Sequence, residues 1–132
     1  MGRNDSEIRA TDARRSQHPS FRQHGASVRR ERLPNRRASE TFEVHSAGLD
    51  YRVTVSRYPD GRLAEIFLSS HKMGSHADNA ARDSAIMASI ALQYGAALDT
   101  VRHAITRDAN GQASSPLGVA LDLLRNEETE RE

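Results

Sequence analysis

Tyr51-Arg52-Val53-Thr54-Val55-Ser56-Arg57-Tyr58-Pro59-Asp60-Gly61-Arg62-Leu63-Ala64-Glu65-Ile66-Phe67-Leu68-Ser69 decides the fold. Tyr51, Val53 and Val55 alternate with Arg52, Thr54 and Ser56, the period of a half-buried strand rich in β-branched residues. In Tyr58-Pro59-Asp60-Gly61-Arg62, Pro pre-sets φ at the first turn position and Gly accepts the left-handed conformation at the end, a hairpin signal. Leu63 to Ser69 then reads as the returning strand. Upstream, Phe42, Val44 and Ser46 alternate with Glu43 and His45, and Ala47-Gly48-Leu49-Asp50 supplies turn chemistry. Two hairpins in succession predict a three-stranded antiparallel meander with one face free to pack on helices.

The helical half is predicted to open at Ser75, where Ser75-x-x-Asp78 has the outline of a capping box. Ala77, Ala81, Ala85, Ala88 and Leu92 line one face, and Ile86, Met87, Ile90 and Tyr94 cover the adjoining sides. From Ala85 onward this helix is apolar nearly all round, which places it in the middle of the domain, with Ile90 enclosed. Gly95 ends it. A short helix is expected from Leu98 to Arg107, with Arg102 on its outer face, broken by Asp108-Ala109-Asn110-Gly111. Ser115-Pro116 (N-cap, then Pro at the first helical position) opens a last helix with Leu117, Leu121 and Leu124 on one side. The fold class is α+β: a meander on a central Ala-rich helix, with two further short helices.

With 132 residues there is room for one domain and little more. Residues 1–37 carry Arg at 3, 9, 14, 15, 22, 29, 30, 32, 36 and 37 against Asp5, Glu7, Asp12 and Glu31, whereas the remainder is acidic overall. Ile8, Phe21, Val28 and Leu33 are, apart from Met1, the large apolar residues of that first stretch, too few to offset the entropy of ordering. Residues 1–30 are therefore expected to form a disordered Arg-rich arm, 31–125 the folded domain and 126–132 a frayed charged tail. The arm has two readings: a contact for nucleic acid or another polyanion, or a solvated tail with no specific role. No apolar run reaches the roughly 18 residues of a membrane span and no secretory h-region is visible, so a cytoplasmic protein with no membrane partner is expected. The chain has no Cys, which removes disulfides, Cys-ligated zinc, iron–sulfur clusters and thiol or thiyl chemistry.

His71-Lys72-Met73-Gly74-Ser75-His76 joins the third strand to the central helix. His71, Lys72, Gly74 and Ser75 suit an anion at a helix start, but the same residues also make an ordinary turn and cap. His71, His76 and Asp78 could in principle ligate a metal, but the two His read better as ordinary surface histidines, and no metal is expected. Glu65, on the strand face of Leu63 and Phe67, reads either as a buried acid with a raised pKa or as an edge residue that reaches solvent, and the second is the expectation. No nucleophile–base order or carboxylate pair supports catalysis, so the residues alone point to a binding or accessory domain.

Leu33-Pro34-Asn35-Arg36-Arg37, Asp60-Gly61-Arg62-Leu63-Ala64-Glu65-Ile66-Phe67-Leu68, His71-Lys72-Met73-Gly74-Ser75 and Ser89-Ile90-Ala91-Leu92-Gln93-Tyr94-Gly95 together resemble the TSCPD domain. That domain is found near the C-terminus of adenosylcobalamin-dependent (class II) ribonucleotide reductases and as small separate proteins. The resemblance spans residues 32–124. It implies a link to deoxyribonucleotide biosynthesis and marks Arg36 and Arg37 as candidate contacts with a reductase catalytic chain. Reductases of this kind need a thiyl radical, a redox-active cysteine pair and a large barrel domain. None of these can be assigned to positions here. The expectation is an accessory or regulatory domain that binds no cofactor itself and meets adenosylcobalamin only through a partner. The alternative is a small nucleic-acid-binding protein that uses the basic arm.

Overall fold

The computed structural model describes residues 29–131, and all but the last two residues of the expected arm lie outside that range. Strands β1 (Ser39–Ser46), β2 (Leu49–Arg57) and β3 (Leu63–Ser70) form one antiparallel sheet in the order β1-β2-β3. Helices α1 (His76–Gln93), α2 (Leu98–Ala104) and α3 (Pro116–Arg131) follow. The α+β architecture is the expected one.

Each hairpin has a local cause. Ser46 pairs with Leu49, leaving Ala47 and Gly48 as a two-residue loop with φ of 51° and 79°. Two consecutive positive φ values match the right-handed twist of the strands they join. In the second hairpin Gly61 N–H donates to Tyr58 O (2.8 Å), and Tyr58 N–H donates to Arg62 O (2.9 Å). Ser75 caps α1 as expected, its Oγ accepting from Asp78 N–H (3.2 Å). Ser115 does the same for Gly118 N–H at the start of α3. Gly118 is dictated by space: a Cβ there would lie 2.7 Å from the Ala113 Cβ.

One core cluster joins the inner face of the sheet (Val44, Tyr51, Val53, Val55, Ile66, Leu68) to Leu117, Ala120, Leu121 and Leu124 of α3. Ala81, Ala85 and Ala88 of α1 are also buried in it, and such small side chains let that helix lie close against β3. The mode of approach is unusual. Ser89 Oγ donates to Ile66 O (3.0 Å) and accepts from Ile66 N–H (2.9 Å), and Gln93 Nε2 donates to Ala64 O (3.1 Å). Asp78 Oδ1 accepts from Ser70 N–H (2.8 Å). Side chains of α1 thus take the place of a fourth strand along the outer edge of β3, satisfying buried groups that would otherwise cost free energy.

Several expectations need correction. Helix α1 is not enclosed all round: Ile86, Met87 and Tyr94 are exposed, and Ile90 is only partly buried. A helix at a sheet edge has a solvent side, and the apolar residues there gave no hint of which side it was. The register slips between Ser56 and Arg57, where Ser56 faces Glu65 but Arg57 faces Leu63. This bulge moves Leu63 into the core with Ile66 and away from the side of Glu65 and Phe67. Helix α2 stops at Ala104 instead of Arg107, because Arg107 pairs with Ala113 in an isolated bridge closed by Asp108. Arg102 does not sit on an outer face: it donates to Asp122 of α3 (3.0 Å) and to Asp99 (2.9 Å). The tail expected to fray from Asn126 is helical to Arg131, and Glu128 pairs with Arg57 at 3.2 Å.

Candidate functional site

The segment of residues 30–37 runs along the end of β3 and the C-terminus of α1. Glu31 N–H donates to Gln93 O (2.8 Å), and Tyr58 Oη donates to Glu31 O (2.7 Å). The Glu31 carboxylate turns to Arg62, whose guanidinium lies 2.8 Å away and stacks 4.7 Å from the Tyr58 ring centroid. Burial, reinforced by the Glu31 charge, pushes the Tyr58 hydroxyl above its ordinary value. Arg62 N–H and guanidinium bonds hold Asp60 below the usual carboxylate range.

On the other side of this segment lies an open cleft of about 300 Å³, lined by Arg30, Arg32, Asn35, Arg37, Glu65 and Gln93, with Leu33. Arg30 Nε donates to Gln93 Oε1 at 2.5 Å. Arg37 bridges Glu65 Oε2 (2.9 Å) and Pro34 O (3.1 Å). Glu65 does not reach solvent as expected. Its side chain is 11% exposed and is met by Arg37. Of the two expected arginines, Arg37 enters this cleft, whereas Arg36 is exposed and not part of its lining. Arg30, Arg32, Glu65 and Gln93 line the cleft as well, with no motif in the sequence that marks them for contact. The one local hint was Gln93, an amide at a position continuous with the buried face of an apolar helix.

The 71–76 loop is built around an internal anion. Gly74, at φ 78°, donates its N–H to Asp78 Oδ2 (3.0 Å), and Ser70 N–H donates to the other oxygen. The Gly74 and Ser70 N–H bonds, with Arg82 at 3.0 Å, hold the Asp78 carboxyl below its usual range despite its burial. Asp78 does not return to the cap residue as a capping box requires; it closes the loop instead. Ser75 Oγ also donates to Lys72 O (2.8 Å), and Lys72 N–H donates to Ser70 Oγ (3.1 Å). His71 lies 3.3 Å from Glu43 on β1. The side chains of His71 and Lys72 are at the surface, while Gly74 and Ser75 are engaged in the turn and cap. Among the described residues no group of three or more His, Asp or Glu is arranged to hold a metal.

Several known proteins are similar to this chain over part of its length. The chain is 38% identical over 77 residues to a vitamin B12-dependent ribonucleotide reductase of Bradyrhizobium diazoefficiens. It is 40% identical over 73 residues to the enzyme of that name from Rhodopirellula baltica, and 36% over 80 residues to that of Agrobacterium fabrum. These matches take in 55–61% of this chain but only 6–7% of the relatives' length. The chain is therefore related to a small portion of much larger reductases. No protein-family profile and no solved structure matches it. Among the described residues no helix is long and apolar enough to cross a membrane.

Proposed function

We propose that this chain is a TSCPD-type accessory domain that acts in the cytoplasm on an adenosylcobalamin-dependent ribonucleotide reductase, by contact with its catalytic chain. The observation that carries this reading is the 38% identity over 77 residues to a segment making up 6% of a vitamin B12-dependent reductase. The absence of Cys from the sequence supports a role outside the radical chemistry itself. Surface-exposed Arg36 and Lys72 are the contact side chains we assign, with Arg37 oriented by Glu65. In the test, the full chain is titrated into a purified catalytic chain from the same source while sedimentation and deoxyribonucleotide formation are followed. Association that changes turnover and is weakened by Arg36→Glu and Lys72→Glu is the expected result. Turnover by this chain alone, or no association at micromolar concentrations, overturns the reading. So does steeply salt-dependent nucleic-acid binding without association, which returns function to the basic arm.

A further inference from the structure

We infer that the Arg30–Arg32–Arg37 cleft is a binding site for a polyphosphate group. This inference stands on the cleft itself and does not depend on a reductase partner. Its lining brings three guanidinium groups around one carboxylate in about 300 Å³. Glu65 is the one acidic side chain in that lining, and it is engaged by Arg37. Glu31, between two of the arginines in sequence, does not line the cleft and is drawn to Arg62 on the far side.

The three arginines are held in different ways, and the difference sets the charge. Arg37 is paired with Glu65, so that charge is offset. Arg30 is oriented by the amide of Gln93, a neutral acceptor that fixes the guanidinium without cancelling it. Gln93 is itself fixed, since its Nε2 is committed to Ala64 O. Arg32 adds a further charge at the rim. Among the described residues neither Arg30 nor Arg32 is paired with a carboxylate, and a cleft with two such guanidinium groups suits a ligand with at least two negative charges close together. A single carboxylate brings one, whereas adjacent phosphates bring more and offer oxygens in the spacing that guanidinium forks match. The Asn35 side chain supplies a neutral polar group at the same wall.

The test is calorimetric titration of the full chain at low salt with tripolyphosphate, ATP, inorganic phosphate and acetate. One tripolyphosphate per chain is expected, bound at least about tenfold more tightly than phosphate or acetate, as several charge-assisted bonds would give. Equal affinity for ATP identifies the tail as the whole determinant, and tighter ATP binding identifies a nucleotide as the source of the polyphosphate; both support the site. Arg30→Ala with Arg32→Ala should weaken binding about tenfold or more. Neither residue is buried, so the fold is expected to persist, with circular dichroism as the check. Arg14→Ala with Arg15→Ala removes two charges while leaving every named cleft residue in the sequence, and should leave affinity unchanged. Equal affinity for acetate, insensitivity to the Arg30/Arg32 pair, loss in the Arg14/Arg15 pair, or binding of long nucleic acid only would each overturn the inference.

Discussion

Ser89 on α1 and Ile66 on β3 exchange two hydrogen bonds through one hydroxyl, which accepts from the Ile66 N–H at 2.9 Å and donates to its carbonyl at 3.0 Å. A neighbouring strand would offer the same two bonds from its backbone. Here a helix offers them from a side chain. The pairing lets α1 approach a sheet edge without stranding that edge's polar groups away from water.

Ser89→Ala should leave both groups of Ile66 buried without a partner, at a cost of about 1–3 kcal/mol. Urea unfolding read by circular dichroism measures it. Met87→Ala, on the exposed side of the same helix, should change stability by about 0.5 kcal/mol or less. Equal midpoints for the two variants would show that the hydroxyl is not needed at the edge.

Leu121→Ala should cost about 2–5 kcal/mol, because this side chain is fully buried between α3 and the sheet. Ile90→Ala should cost clearly less, about 1 kcal/mol, since Ile90 lies toward the solvent side of α1. A larger loss at Ile90 than at Leu121 in thermal denaturation would mean that α1 is enclosed after all.

Asp78 ties acid stability to the 71–76 loop. Its folded pKa lies below the ordinary 3.8, chiefly through the Gly74 and Ser70 N–H groups. Its contribution is therefore fully present above about pH 4 and is lost as pH falls through the folded value. Asp122 and Asp99 carry shifts of the same sign, each held down first by an arginine bond. Asp78→Asn should lower the melting temperature at pH 7 and flatten, without abolishing, its fall between pH 4 and pH 2. An unchanged acid slope would remove Asp78 from that role.

Asp122 receives Arg107 at 2.7 Å and Arg102 at 3.0 Å, fastening α3 to α2 and to the loop after it. Asp122→Ala should cost about 1.5–3 kcal/mol, the range for hydrogen bonds to a charged group. Amide exchange should quicken first between Leu98 and Ala113. Uniform quickening across the sheet instead would place the weakness elsewhere.

Short-range signals in the sequence were legible where one residue type answers one backbone need. Gly48 and Gly61 in turns, Ser75 and Ser115 as caps, and alternation in β2 all led to the observed elements. What could not be read are features decided by which elements meet. Ser89 and Gln93 look like polar interruptions in an apolar helix until β3 is laid beside them. The bulge near Ala64 leaves no mark in Leu63-Ala64-Glu65-Ile66, where three of four residues are apolar. Arg30, Arg32 and Arg37 share a cleft only because Gln93 and Glu65, far along the chain, hold two of them.

Since α1 lies along β3 and bonds its Ala64, Ile66 and Ser70 backbone groups, β1 is the edge of the sheet that no described strand or helix bonds in this way. Two copies meeting there would present Ser39–Ser46 to each other across a two-fold axis and build a doubled sheet with a helix closing each end. Such growth stops at a pair. Among the described residues, a chain that keeps α1 seated presents one strand edge for addition, whereas one that sheds α1 exposes a second template and gains an open-ended route. The seating of a single helix, more than the hydrophobicity of any strand, thus sets whether misassembly of this protein terminates or propagates.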